Sequence, residues 1–114
     1  MVSITRVKEL AIAFPHVTEL PHFEKSSFRI GGKIFVTINE KENRICVKLS
    51  QIDQSVFCVF DEKIIYPVPN KWGKQGWTLV QLAAIEADFL EDILTTAYCH
   101  VAPKKWAILV KKES

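Results

Sequence analysis

The side chains able to do covalent or acid–base chemistry are few in this chain, and they are scattered. Three cysteines, Cys46, Cys58 and Cys99, show no C-x-x-C spacing, so neither a disulfide framework nor a four-ligand zinc site is written in them. His16 and His22 flank Pro15 and Pro21 in a connecting stretch, and His100 adjoins Cys99. Nucleophilic catalysis needs a positioned base and a group that orients it. These histidines read more plainly as surface or packed side chains than as metal ligands or a Cys–His pair. No G-x-S-x-G elbow, phosphate-cradling glycine loop or H-E-x-x-H pair occurs. The expectation is a protein that is not an enzyme and carries no cofactor or metal.

Capture of phosphates and planar rings is better supplied. From Lys63 to Thr78 the chain holds Lys63, Lys71 and Lys74, no acid, and the aromatics Tyr66, Trp72 and Trp77. Gly73, Gly76, Pro67 and Pro69 mark a loop there, whose backbone N–H groups are expected to reach phosphates. In the alternative reading Trp72 or Trp77 plugs the edge of the core and the lysines only solvate the loop. A second basic stretch closes the chain, where Lys104, Lys105, Lys111 and Lys112 face a single acid, Glu113.

The elements that must position these groups follow from periodicity. Ile4, Val7, Leu10, Ala11 and Phe14 fall at helical spacing behind Ser3, a ready cap, and the helix stops before Pro15. Ser27 to Ile30 and Lys33 to Asn39 alternate around Gly31-Gly32, a hairpin turn, and Arg44 to Leu49 extends them to a three-stranded antiparallel meander. Ser50 and Asp53 resemble a capping box before a short helix with Ile52, Val56, Val59 and Phe60 on one face, although Val56 to Phe60 also suits a strand. Strands are expected at Lys63 to Tyr66 and Gly76 to Leu82. A helix runs from Glu86 to Val101 with its acids gathered at the start, where the helix dipole favours them. Pro103 interrupts it, and Trp106 to Val110 adds a turn or a packed tail.

Side chains of a strand alternate between the two faces of a sheet. Phe28, Ile30, Ile34, Val36, Ile38, Ile45, Val47 and Leu49, continued by Thr78, Val80 and Leu82, form the apolar set that the helices cover. The opposite face then collects Ser27, Arg29, Phe35, Thr37, Arg44, Cys46, Lys48, Trp77 and Leu79. Cations with aromatics and no carboxylate suit nucleic acid, since Arg and Lys neutralise phosphates while rings stack on bases. The same mixture also suits an ordinary solvated sheet face.

At 114 residues, with 48% hydrophobic and 25% charged residues, the composition is that of one folded domain spanning 1–114 that buries about two-thirds of its unfolded surface. A formal charge of +2 is too small to make the whole surface a trap for polyanions, so any nucleic-acid site must come from local arrangement. No apolar run approaches the ~18 residues of a membrane span, and the first apolar stretch, broken by Arg6, Lys8 and Glu9, does not read as a secretory h-region. The expected location is the cytoplasm.

Two segments carry a family resemblance. Val68 to Thr78, VPNKWGKQGWT, and Leu94 to Lys105, LTTAYCHVAPKK, resemble the signature segments of the MmcQ/YjbR family. Gly31-Gly32-Lys33 following Phe28, and Val17-Thr18-Glu19 after the first helix, resemble it too, so the likeness covers nearly the whole chain. It implies an α+β fold of the CyaY-like type, also compared with the double-wing domain of a phage transcription factor, in which helices cover one side of an antiparallel sheet. It also implies DNA binding without a catalytic residue set. Iron handling of the frataxin kind would need carboxylates clustered on the first helix, and that helix offers only Glu9.

The sequence therefore predicts a non-enzymatic DNA-binding module that contacts phosphates with little base specificity. Its site comprises Arg29, Arg44, Lys48, Lys71, Trp72, Lys74 and Trp77, extended by Lys104 and Lys105. The alternative is an adaptor domain that presents Trp72, Trp77 and Leu79 to a partner protein.

Overall fold

The computed structural model describes residues 1–110. Its elements are α1 (Ile4–Ile12), β1 (Thr18–His22), β2 (Lys25–Ile30), β3 (Lys33–Asn39), β4 (Arg44–Lys48), α2 (Gln51–Phe60), β5 (Ile65–Pro67), α3 (Lys71–Lys74), β6 (Trp77–Gln81), α4 (Ala87–Val101) and α5 (Lys104–Val110). The strands form one antiparallel sheet in the order β1-β2-β3-β4-β6-β5. This is an α+β fold, with α4 laid over β3 and β4 and contacting α1, α5 against α4, and α2 beside the edge strand β5.

Local chemistry places most boundaries. Ser3 accepts from the Arg6 N–H, and Ser50 accepts from Asp53 N–H at 3.0 Å while its hydroxyl donates to the Asp53 carboxylate, so both helix starts are capped. Gly31 and Gly32 sit at φ 59° and 79°, the left-handed pair that a two-residue hairpin requires. The meander β2-β3-β4 forms as expected. The stretch after α1, expected as a connection, instead adds β1 as an edge strand. Its Pro21 is tolerated because an edge need not donate on its outer side. The strand expected at Lys63 to Tyr66 is shorter and starts two residues later, at Ile65, and the C-terminal segment is a helix.

One expectation about the sheet fails. Phe28 pairs with Val36 but Arg29 pairs with Ile34, so β3 carries one extra residue, Phe35, in a bulge. The bulge shifts the alternation: Phe35 is fully buried, in edge-on contact with Phe14 at 5.9 Å and Tyr98 at 5.6 Å, while Ile34 turns out to the other face. The remaining apolar set, Phe28, Ile30, Val36, Ile38, Ile45, Val47, Leu49, Val80 and Leu82, is buried with Leu90, Ile93, Leu94 and Ala97 of α4. Each larger side chain there contributes about 1.5–3 kcal/mol. The α2 helix forms where the spacing puts it, but Ile52, Val56, Val59 and Phe60 face outward rather than into this core.

Candidate functional site

The face of the sheet away from α4 is traced by the cross-strand register Leu20–Ser27–Thr37–Cys46–Leu79–Tyr66, which runs through all six strands. Two adjoining cavities open on it. The larger, about 520 Å³, is lined by His22, Lys25, Thr37, Arg44 and Cys46 from the first four strands and closed by Val68, Pro69, Trp72 and Leu79. The smaller, about 460 Å³, is lined by Arg29, Lys33 and Lys48 and reaches round the end of the sheet to His100 and Val101 of α4. Ile34 and Trp77 belong to both. Lys25, Arg29, Lys33, Arg44 and Lys48 thus line one continuous surface to which no carboxylate contributes. Among the described residues none of these five forms an ion pair; the three present are Arg6–Glu9, Lys8–Glu40 and Lys41–Glu24.

The aromatic wall is held by α2. Gln54 Nε2 donates to the Gly73 carbonyl at 2.9 Å and to Thr78 Oγ1 at 3.0 Å, and Gln51 Nε2 donates to the Lys74 carbonyl at 2.9 Å. Lys48 Nζ donates to the Gln75 carbonyl and lies 5.8 Å from the Trp77 ring centroid. The glycines serve close approach of backbone. A Cβ on Gly73 would stand 2.0 Å from the Val68 oxygen, and one on Gly76, at φ 105°, would stand 1.8 Å from the Leu49 oxygen.

The expectation that this loop offers backbone N–H groups to phosphates is therefore corrected. Residues 71–74 form a short helix whose start is tied by Trp72 N–H to Asn70 Oδ1, and Gly73, Gln75 and Gly76 N–H all bond to carbonyls within the loop. These four N–H groups are spent within the loop, which leaves mainly its side chains for an anion.

Electrostatics across the site are simple. Burial pushes the Cys46 thiol up to about 11 against the pull of Lys25 and Arg44, so it stays protonated and neutral. Burial and the nearby Lys48 ammonium hold His100 below its ordinary value, with Asp53 opposing them. Arg29 Nε donates to Ser27 Oγ, which in turn donates to the Leu20 carbonyl at 2.8 Å, fixing the guanidinium on the sheet. Among the described residues no group of three or more His, Cys, Asp and Glu is placed to hold a metal ion.

The structure brings Arg29, Arg44, Lys48, Trp72 and Trp77 together in this site. Lys71 lies 5.9 Å from the Trp72 ring centroid at the outside of the loop, and Lys74 is exposed beyond it. Lys104 lines a further groove with Asp53 and Asp92 that meets the smaller cavity at His100, and Lys105 lies 5.0 Å from the Trp106 ring centroid on α5; neither lysine lines the two sheet-face cavities themselves. Lys111 and Lys112 lie outside the described residues.

The sequence does not place Lys25, Lys33, His22, Gln51 or Gln54 in the site, although it offers His22 as a surface or packed side chain and Lys33 as a strand start. Extending the β2 alternation two residues back from Ser27 reaches Lys25. The two glutamines left no local signal, because their partners lie about twenty residues away.

No curated protein matches the chain. A crystal structure of Deinococcus radiodurans protein DR2400, with the family-model domain DUF419, superposes with a TM-score of 0.79 at 17% identity, covering 96% of this chain and 88% of that one. At that identity the likeness is one of fold. The YjbR family model matches residues 12–100, which takes in the whole sheet, the larger cavity, the smaller one except Val101, and α4 up to His100, and the chain belongs to the YjbR family.

Proposed function

We propose that this protein is a non-enzymatic DNA-binding module of the cytoplasm that docks through the outer face of its sheet. The observation that carries the reading is the two-cavity surface with five cations, two tryptophans and no carboxylate. Its cations would neutralise phosphates and release counterions, the main source of affinity for a binder that reads little sequence. Among the described residues the helical parts that border that surface are the four-residue α3 and the end of α4 at His100, too little to lie along a major groove, which agrees with weak base specificity.

Fluorescence anisotropy with a labelled oligonucleotide across a salt series tests this. Engagement of three to four of the five cations gives a slope of log K against log salt of about −3. The double variant Arg29→Glu/Arg44→Glu should abolish binding while its fold is retained. No binding at low salt and tens of micromolar protein ends the proposal. The adaptor reading draws on Trp72, half-exposed beside Leu79. It predicts the opposite pattern, in which Trp72→Ala abolishes binding of a partner protein and changes at Arg29 and Arg44 leave that binding intact.

A further inference from the structure

We propose that the larger sheet-face cavity takes one nucleotide unit, an unstacked base lodged beside Trp72 and Trp77 with its phosphate drawn to Arg44 and Lys25. The proposal rests on the nucleic-acid reading and narrows it from capture of a backbone to occupation of a pocket. A surface that only tracks phosphates needs no depth. This one is a half-open hollow of about 520 Å³, within the ~300–1,000 Å³ of pockets that hold small ligands. Its walls are apolar and aromatic, its cations stand on one side, and the groups toward its floor, Thr37 and the Cys46 thiol, are neutral.

A second feature adjoins one of the lining residues. Phe23 joins β1 to β2 at φ 59°, a left-handed conformation that costs a bulky residue about 1–3 kcal/mol. Its ring is 91% exposed, 4.9 Å from the ring of His22, which lines the cavity. The tight turn between β1 and β2 thus leaves an aromatic face in water next to His22, a lining residue of a pocket already walled by tryptophan. Stacking on a base is the use that matches such a ring, and every base has a face to stack. Bases within a duplex are already stacked on both faces, so the chemistry favours a single strand, an extruded base or a free nucleotide over an intact helix.

The test uses the full chain with four probes: a labelled oligothymidylate of about 12 nucleotides, its duplex, an abasic strand of equal length and charge, and free dTMP. Binding of the thymidylate strand should exceed that of the duplex and the abasic strand on the order of tenfold. Trp72→Ala should erase the excess and leave abasic binding intact, Trp72→Phe should keep most of it, and dTMP should shift the amide resonances of Thr37, Cys46 and Leu79. Equal binding of all three polymers with those resonances unmoved overturns the pocket and leaves the phosphate reading standing. Shifts with dTMP but no polymer binding support the pocket as a site for a free nucleotide and overturn the DNA reading. No response to any probe overturns both.

Discussion

Gln54 of α2 holds the carbonyl of Gly73 at 2.9 Å across nineteen residues of sequence, and the same amide donates to Thr78 Oγ1. One side chain therefore ties α2, the short helix bearing Trp72, and the start of β6. Gln54→Ala removes these bonds from partly buried acceptors and should cost about 1–3 kcal/mol. The urea midpoint reads the cost, and a change in tryptophan emission at zero urea should accompany it as the Trp72 wall loosens. An unshifted midpoint would mean that the loop is held without this tie.

The bulge in β3 predicts unequal roles for two neighbours. Phe35→Ala should destabilise the fold by about 3–5 kcal/mol, since it removes the ring that packs edge-on against Phe14 and Tyr98. Ile34→Ala, on the outer face, should cost about 1 kcal/mol or less. Equal costs in chemical denaturation would contradict the shifted alternation.

Gly76 is at φ 105° with the Leu49 oxygen where a Cβ would go. Gly76→Ala should therefore lower stability by about 2 kcal/mol or more, because backbone must move to admit it. Gly32→Ala, with open space around its Cβ, meets only the strain of its positive φ and should cost less. Thermal melts of the two variants rank them directly.

Outward-facing α2 side chains should tolerate charge. Val59→Lys, at a site 85% exposed, should change stability by no more than about 0.5 kcal/mol, whereas a buried valine there would not accept a lysine. A loss of several kcal/mol would place this face in the core after all.

Cys46 links stability to alkaline pH. Its folded value, about 11, is raised above the ordinary 9.0, so between these pH values the unfolded chain has lost a proton that the folded chain keeps. Stability from this group is full below pH 9 and is lost as pH rises through about 11. The melting temperature of the wild type should fall more steeply over that window than that of Cys46→Ala; parallel curves would remove Cys46 as the cause.

By itself the sequence determined the elements whose signals are local. Gly31-Gly32 set a hairpin because two consecutive positive φ angles suit glycine, Ser3 and Ser50 capped helices within their own first turns, and the spacing from Phe89 to Tyr98 made α4. The family was legible in the short runs VPNKWGKQGWT and LTTAYCHVAPKK. Only the tertiary structure decided which side of the sheet Ile34 and Phe35 occupy, because one extra residue reverses a period of two and nothing in a single strand announces it. It also placed Lys25 and Lys33 in the site and left Lys104 and Lys105 outside it. Charge along the chain carries no direction, and the side on which a lysine emerges is set by the strand pairing and helix docking around it.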